Sequence, residues 1–408
     1  MPTEVSSSPR RSARAYFTLL SATYGLSTFG NFLNLLAVNL YVLHLTGDAF
    51  LTGLLMAVRL TAAFAAGPVA GLLAARFPRR TIMIRCDVAQ ALAMVSLLVT
   101  PASSHRHLLW LTAVVLGAGN TVFMVALRTS VPELTGAADR SRGNGSLVTA
   151  RAFGTVLGFA AAAPLIGAFG YGAAFAVNGA TFVVSAIVLR WMPLSFGERP
   201  APVVEPTARP SRGPRVLLLA SPAVAMLLAL RGVEGLAGAS HNVALPVFAA
   251  QRDPAAPAVL LSQFWTAWAV GSLSMNRLVQ WWLKRGDRRL GEHVYAGATA
   301  CASAGFIAAF LDLPVLALVL VAAFAGFADG LGDLSYATLL QARPAVERAQ
   351  LFGTSAAVET LGLASGSLGS AVLLGQAAPL SVVALFHAFA IAAAVVYIML
   401  GSITGAKQ

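Results

Sequence analysis

Ionisable side chains inside long apolar runs are the first residues to weigh, because such groups are costly to bury and are kept where they act. Asp329 and Asp333 stand four apart in one run. On a helix that spacing puts both carboxyls on one face, about 6 Å apart. Two carboxylates that close, away from water, do not both ionise, so one keeps its proton. A carboxyl that gains and loses a proton near neutral pH is what coupling to a proton gradient requires. The competing reading is a static ion pair with Arg128, Arg231 or Arg277, or exposure at an aqueous mouth. Arg231 and Glu234 are three apart and neutralise each other on one helix face. Glu359 lies inside a further run, where a buried acid needs a proton or a cation. Its cation would come from the first half of the chain.

Basic and amide groups suit a different task. Arg59 sits about ten residues below the end of its run, too deep to reach the surface easily. It suits an anionic group of a bound molecule, or a helix C-terminus. Asn31 and Asn34 are three apart and share a face. They suit a polar ligand or hydrogen bonding between helices. Asp87 and Arg151 complete the set of deep charges in the first half, together with Arg85 and Arg128. His241, Asn242, Gln263, Trp265 and Trp268 gather near the outer ends of two neighbouring runs, where tryptophan commonly anchors at the membrane interface.

Several chemistries have no residues to carry them. There is no GxxxxGK[ST] phosphate loop, no HExxH and no GxSxG. Cys86 and Cys301 both fall inside apolar runs and imply no disulfide framework. No cysteine–histidine spacing suits a metal. No cofactor is expected, and the chain does not read as an enzyme.

The elements that must position these groups follow from composition. Charged residues make up 11% of the chain and apolar ones 57%. A soluble domain carries about a quarter charged residues, so this chain belongs in a lipid bilayer. Crossing the hydrocarbon core takes about 20 apolar residues. Twelve such runs are predicted, near 16–43, 50–74, 82–100, 108–127, 146–169, 173–192, 216–249, 258–283, 293–311, 313–340, 352–374 and 379–401. The net charge of +12 is scattered through the gaps, which argues against a nucleic-acid face. With the N-terminus inside, twenty arginines and lysines fall on the cytoplasmic side, and only Arg106 and Arg252 fall on the other. Both termini are therefore expected in the cytoplasm.

Residues 195–215 are proline-rich, basic and without an apolar run, as a linker is. The expected organisation is a tail (1–15), a six-helix bundle (16–194), a cytoplasmic linker (195–215), a second six-helix bundle (216–402) and a short tail (403–408). The halves echo each other weakly. LRTSVPEL and LLQARPAV end matched runs, as do RFPRR and LKRGDRR. The fold class is all-α: twelve transmembrane helices in two pseudo-symmetric bundles. GxxxG pairs at Gly67/Gly71, Gly154/Gly158, Gly326/Gly330 and Gly362/Gly366 let helices approach closely. They serve either packing within a bundle or a surface on which the halves rock.

LYVLHLTGDAFLTGLL (40–55) and GLLAARFPRRTIMIRCDVAQAL (71–92) resemble the major facilitator superfamily, and within it the bacterial exporters of drugs and siderophores. Gly71, Arg76, Arg79 and Arg80 match the signature loop between helices two and three, whereas Ala75 stands at its usual aspartate and Pro78 at its second glycine. The resemblance implies that this loop gates the cytoplasmic side, joined by Asp87, Arg151 and the Lys284–Arg289 loop. Gly154, Gly158, Ala163-Pro164 and Gly167 resemble the family's antiporter motif, with alanine before the proline. Helices one, four, seven and ten would line a central cavity, bringing Asn31, Asn34 and Arg231 to a small-molecule substrate, with Arg59 of helix two placed to hold an anionic group of it. Asp329, Asp333, Glu234 and Glu359 would take up protons. The implied protein is a monomer in the bacterial cytoplasmic membrane, a proton-coupled antiporter exporting amphipathic molecules by alternating access. A uniporter or importer of an anionic or lipid-like metabolite is the alternative, and a non-transporting receptor a further one.

Overall fold

The computed structural model describes residues 8–135, 140–192, 222–283, 291–343 and 345–405. Every regular element among them is a helix: α1 (Ser8–Thr46), α2 (Ala49–Arg76), α3 (Arg79–Val99), α4 (Ala102–Thr135), then one long helix over Arg140–Trp191. There follow α7 (Pro222–Arg252), α8 (Pro257–Leu283), α9 (Glu292–Ala308), α10 (Val315–Gln341), α11 (Ala345–Leu374) and α12 (Pro379–Gly405). The long helix cannot be one crossing. Its 52 residues would extend about 78 Å, far more than the ~30 Å hydrocarbon core. Gly170 breaks it, with φ 76° and ψ 178°, into α5 (140–169) and α6 (171–191). That backbone is closed to residues with a Cβ, so one glycine makes two spans. The expected linker and the Lys284–Arg289 loop lie outside the described residues, whereas residues 8–15 of the expected N-terminal tail belong to α1 and 403–405 of the C-terminal tail to α12.

Nine stretches of the described helices are long and apolar enough to cross a membrane, and the double length of Gly145–Trp191 counts once among them. Side chains such as Leu72, Leu92, Leu316 and Leu361 are more than half exposed, a surface suited to lipid. The chain is a multi-pass membrane protein.

The turns are set by local chemistry. Gly47, at φ 63°, ends α1 with its N–H donating to the Leu43 carbonyl at 2.8 Å. Asp48 then caps α2, its Oδ1 accepting the Phe50 N–H at 2.7 Å. Before α8, the Asp253 carboxylate accepts the N–H groups of Ala255 and Ala256, and Pro257 opens the helix.

The chain clusters into two compact units. One comprises Met1–Val38 and Thr61–Glu205; the other comprises Asn39–Leu60 and Pro206–Gln408. The first unit buries Leu20 from α1, Met83 from α3, Leu127 from α4 and Leu189 from α6 in one core. The second buries Leu227 from α7, Tyr295 from α9, Leu340 from α10 and Ala394 from α12. In the second unit, the α1–α2 turn region lies against later helices: a Cβ on Gly53 would meet Ala371 at 2.6 Å and Val243 at 2.9 Å.

Three of the four GxxxG pairs seat helices within a unit. Gly154 and Gly158 press on the Gly25 and Phe29 carbonyls of α1, Gly326 and Gly330 on Trp268 and Ser272 of α8, and Gly362 and Gly366 on Gly232 and Leu236 of α7. A Cβ at Gly326 would lie 2.0 Å from the Trp268 oxygen, so any larger residue must part the helices. A Cβ added at Gly67 or Gly71 would meet no other described helix within 4 Å, and Gly71 is exposed.

Arg79 and Arg80 perform a structural task that their loop position did not announce. Both are buried. Arg79 Nη1 donates to the Thr129 carbonyl near the end of α4 at 2.9 Å. Arg80 Nε donates to the Leu189 carbonyl at 2.6 Å, and Nη2 to the Arg190 carbonyl, both at the end of α6. Helix C-termini leave carbonyls without partners and carry partial negative charge, so at the last turn of α6 the Arg80 guanidinium satisfies both needs. Arg80→Ala should lower unfolding stability by about 1.5–3 kcal/mol, the scale of hydrogen bonds to a charged group. Arg80→Lys should recover only part, since an ammonium cannot fork over two carbonyls. Denaturant titration of the purified variants checks this.

Candidate functional site

Four helices of the second unit converge on one guanidinium. Arg231, on α7, donates through Nη1 to Glu234 Oε2 at 2.9 Å and to Asp333 Oδ1 at 2.8 Å. Its Nη2 donates to Glu359 Oε1 at 2.9 Å. Glu234 also accepts the Tyr295 hydroxyl at 2.9 Å and the Thr299 hydroxyl at 3.4 Å. The ring of Tyr336 lies under Arg231, 5.1 Å from centroid to guanidinium carbon, and its hydroxyl donates to Ser355 at 2.6 Å. Each helix supplies its groups at helical spacing: 231 and 234 on α7, 295 and 299 on α9, 329, 333 and 336 on α10, 355 and 359 on α11.

Glycines make the convergence possible. Gly232 and Gly235 flank the α7 charges. A Cβ on Gly235 would sit 2.7 Å from the Glu359 carbonyl, and one on Gly362 would sit 2.2 Å from the Gly232 carbonyl. α11 therefore lies backbone to backbone on α7, near enough for Glu359 to reach Arg231. The sequence reading sought the partner of Glu359 in the first half; it is Arg231 of its own half.

Asp329 lies one turn before Asp333 on α10, half-buried, within electrostatic reach of Asp333, Glu234 and Arg231 and beside the indole of Trp268. Four carboxylates thus gather at one arginine. Of the partners weighed in sequence for the α10 aspartates, Arg231 is the one in contact, and it binds Asp333. Arg128 and Arg277 are exposed. Exposure grades across the centre, from 14% at Arg231 and 17% at Glu234 to 34% at Glu359 and 58% at Asp333. The arrangement holds the Arg231 guanidinium among carboxylates, at an edge that is most exposed at Asp333. Arg231 Nε is buried and donates to no protein group.

The remaining sequence candidates lie apart from this centre. Asn34 is fully buried on α1 with neither amide atom bonded, and Asn31 is half-buried with Oδ1 unbonded. Asp87 is buried within the first unit. Arg59 is half-buried on α2, and none of the ion pairs among the described residues involves it. Arg76 and Arg151 are exposed. Trp265 is buried and packs edge-on against Trp268 at 5.4 Å, so this pair points inward and does not anchor an interface. His241 stacks on Phe306 at 3.7 Å, and its Nδ1 lies 3.1 Å from His387 Nε2. Tyr295, Thr299, Tyr336 and Ser355 were missed in sequence. The spacing of Tyr336 from Asp329 and Asp333 was the available signal.

The family model of the Major Facilitator Superfamily matches residues 20–367. An uncharacterized MFS-type transporter of Bacillus subtilis (strain 168), YfiS, is 30% identical over 188 residues, which cover 45% of this chain and 43% of that protein. Among solved structures, a bacterial homolog of the human lysosomal transporter Spinster, in an inward-facing and occupied conformation, superposes with TM-score 0.72 at 16% identity, over 97% of this chain and 98% of that one. The nucleoside transporter NupG (D323A mutant) superposes with TM-score 0.67 at 15% identity, over 95% of this chain and 99% of the other. The likeness to the two structures is one of fold; the family match rests on sequence over most of the chain, which therefore belongs to the Major Facilitator Superfamily and is a membrane transporter, not an enzyme.

Proposed function

We propose that this protein is a proton-coupled antiporter that exports amphipathic, cationic small molecules by alternating access. The observation that carries the reading is the gathering of Glu234, Asp333, Glu359 and Asp329 at the single guanidinium of Arg231. Fully ionised, that centre holds three more negative charges than positive ones inside a membrane span. The excess must be met by protons or by a cationic guest. Protons and a cationic substrate that compete for one set of carboxylates exchange for each other, which is antiport. Loading a proton weakens the ion pairs that hold Arg231, and an arriving cation expels the proton. The resemblance to exporters of drugs and siderophores supports the direction. The bias of arginine and lysine toward one side supports an inner-membrane orientation with both termini in the cytoplasm.

The test is flux in proteoliposomes under an imposed pH gradient, with cationic, neutral and anionic fluorescent dyes. Gradient-driven movement of the cationic dyes away from the cytoplasmic face is the expected result. Movement of all dyes without response to the gradient would remove the proton from the mechanism. Preference for anionic dyes, lost in Arg59→Ala, would shift the substrate class to anions.

A further inference from the structure

The first unit contains a second polar centre, separate from the Arg231 cluster. Tyr24, Thr28 and Asn31 of α1, Asp87 and Gln90 of α3 and Asn120 of α4 line a cavity of ≈ 10 Å³. That is about the room one water or one small ion occupies. Both α3 residues are 1% exposed.

Counting hydrogen bonds shows what the cavity asks for. Asp87 Oδ2, Gln90 Oε1 and Asn31 Oδ1 are buried and bond to no protein group. The carboxylate's other neighbour is the Ser185 hydroxyl of α6. The amide of Gln90 is oriented, because its Nε2 donates to the Cys86 carbonyl at 3.2 Å, which leaves Oε1 as the free atom. Thr28 Oγ1 donates to the Tyr24 carbonyl at 2.8 Å and so offers only lone pairs. None of the ion pairs among the described residues involves Asp87. Its titratable neighbours are Cys86 on its own helix and Tyr24 across the cavity, while α4 and α6 contribute Asn120, Phe182 and Ser185.

Three acceptor oxygens, one of them a carboxylate's, therefore stand in the cavity wall with no hydrogen bond from a protein donor, beside the hydroxyls of Tyr24 and Ser27 and the amide of Asn120. A water donates two hydrogens and leaves one oxygen unmatched. One added positive charge completes the set. A sodium-sized ion does so directly, since hard cations take oxygen ligands. A proton on Asp87 does so through one water, which accepts from the carboxyl and donates to the two amides. We propose that Asp87, Gln90 and Asn31 form a binding site for one monovalent cation, taken as a sodium-sized ion or as a proton bridged by a single water. Gly119 on α4 keeps the site's shape: a Cβ there would lie 3.1 Å from the Gln90 side chain.

The experiment uses full-length protein in lipid nanodiscs. Sodium chloride replaces choline chloride at constant ionic strength while ²²Na⁺ binding and the unfolding midpoint are followed. Infrared spectra across pH report the C=O stretch of a protonated carboxyl. Sodium binding that is lost in Asp87→Asn identifies the alkali ion. A protonated-carboxyl band absent from Asp87→Asn, with no sodium effect, identifies the proton. In either case Gly119→Ala should weaken sodium binding about tenfold, or shift the band's pH midpoint, by displacing Gln90 while Asp87 remains. Should Asp87→Asn not assemble, Gln90→Leu should weaken sodium binding or shift the pH midpoint of the Asp87 band, and a variant that changes neither overturns the site. No sodium dependence together with a spectrum that Asp87→Asn leaves unchanged overturns the site.

Discussion

Arg231→Ala is expected to abolish transport and to lower stability by about 3–5 kcal/mol, the range found when one partner of a buried ion pair is removed. The effect comes less from the lost bonds than from what they leave behind. Glu234 and Glu359 would remain within the helix cluster with their basic partner gone, and Tyr336 would lose the cation over its ring. The Asp333 bond should contribute least, because that carboxylate is 58% exposed. Arg231→Lys should restore charge but not geometry, since one ammonium cannot fork to carboxylates arriving from three helices. Arg231→Ala combined with Glu234→Gln and Glu359→Gln should recover much of the stability and none of the transport. Thermal unfolding of the set, read beside dye flux, separates the two consequences. An Arg231→Ala protein as stable as the parent would mean that the carboxylates are already protonated and that the guanidinium is dispensable to the fold.

Removing both α10 aspartates is expected to uncouple the transporter. In Asp329→Asn/Asp333→Asn, flux driven by a pH gradient should fall about 100-fold, on the scale of losing a positioned proton-transfer group. Stability should change little, because the double change removes two like charges a turn apart and leaves Arg231 with Glu234 and Glu359. Substrate binding without a gradient should persist, weakened for cations by the lost negative charge. Dye flux and equilibrium dye binding on the same preparation check the division. Unchanged pH-driven flux in the double variant would take the aspartates out of the proton path and leave Glu234, half-buried and held by Tyr295, as the acceptor to test next.

The four acids at the centre were legible as acids inside apolar runs. Arg231–Glu234 and Asp329–Asp333 were legible as pairs, because a helix turns spacing along the chain into a shared face. Their assembly was not. Helical spacing says nothing about which neighbouring helix a face meets. The partner of Glu359 is 128 residues away, and only the glycine contacts between α7 and α11 show why it can be reached. The tyrosines were overlooked because Tyr295 and Tyr336 in an apolar run read as packing, and their hydroxyls gain meaning only beside Glu234 and Ser355. Arg79 and Arg80 matched the family's signature loop, yet their bonds depend on carbonyls of α4 and of the end of α6, some 50 and 110 residues away.

By itself the sequence determined that the protein crosses a membrane many times through helices. Lipid offers no partner to a backbone amide, so long apolar runs have one structural outcome. The tertiary structure alone decided that α7, α9, α10 and α11 bring their polar groups to one arginine, and that Asp87 faces an acceptor-lined cavity. Between helices in lipid, steric fit at small residues selects the partner. That fit belongs to pairs of surfaces, which no single run of sequence contains.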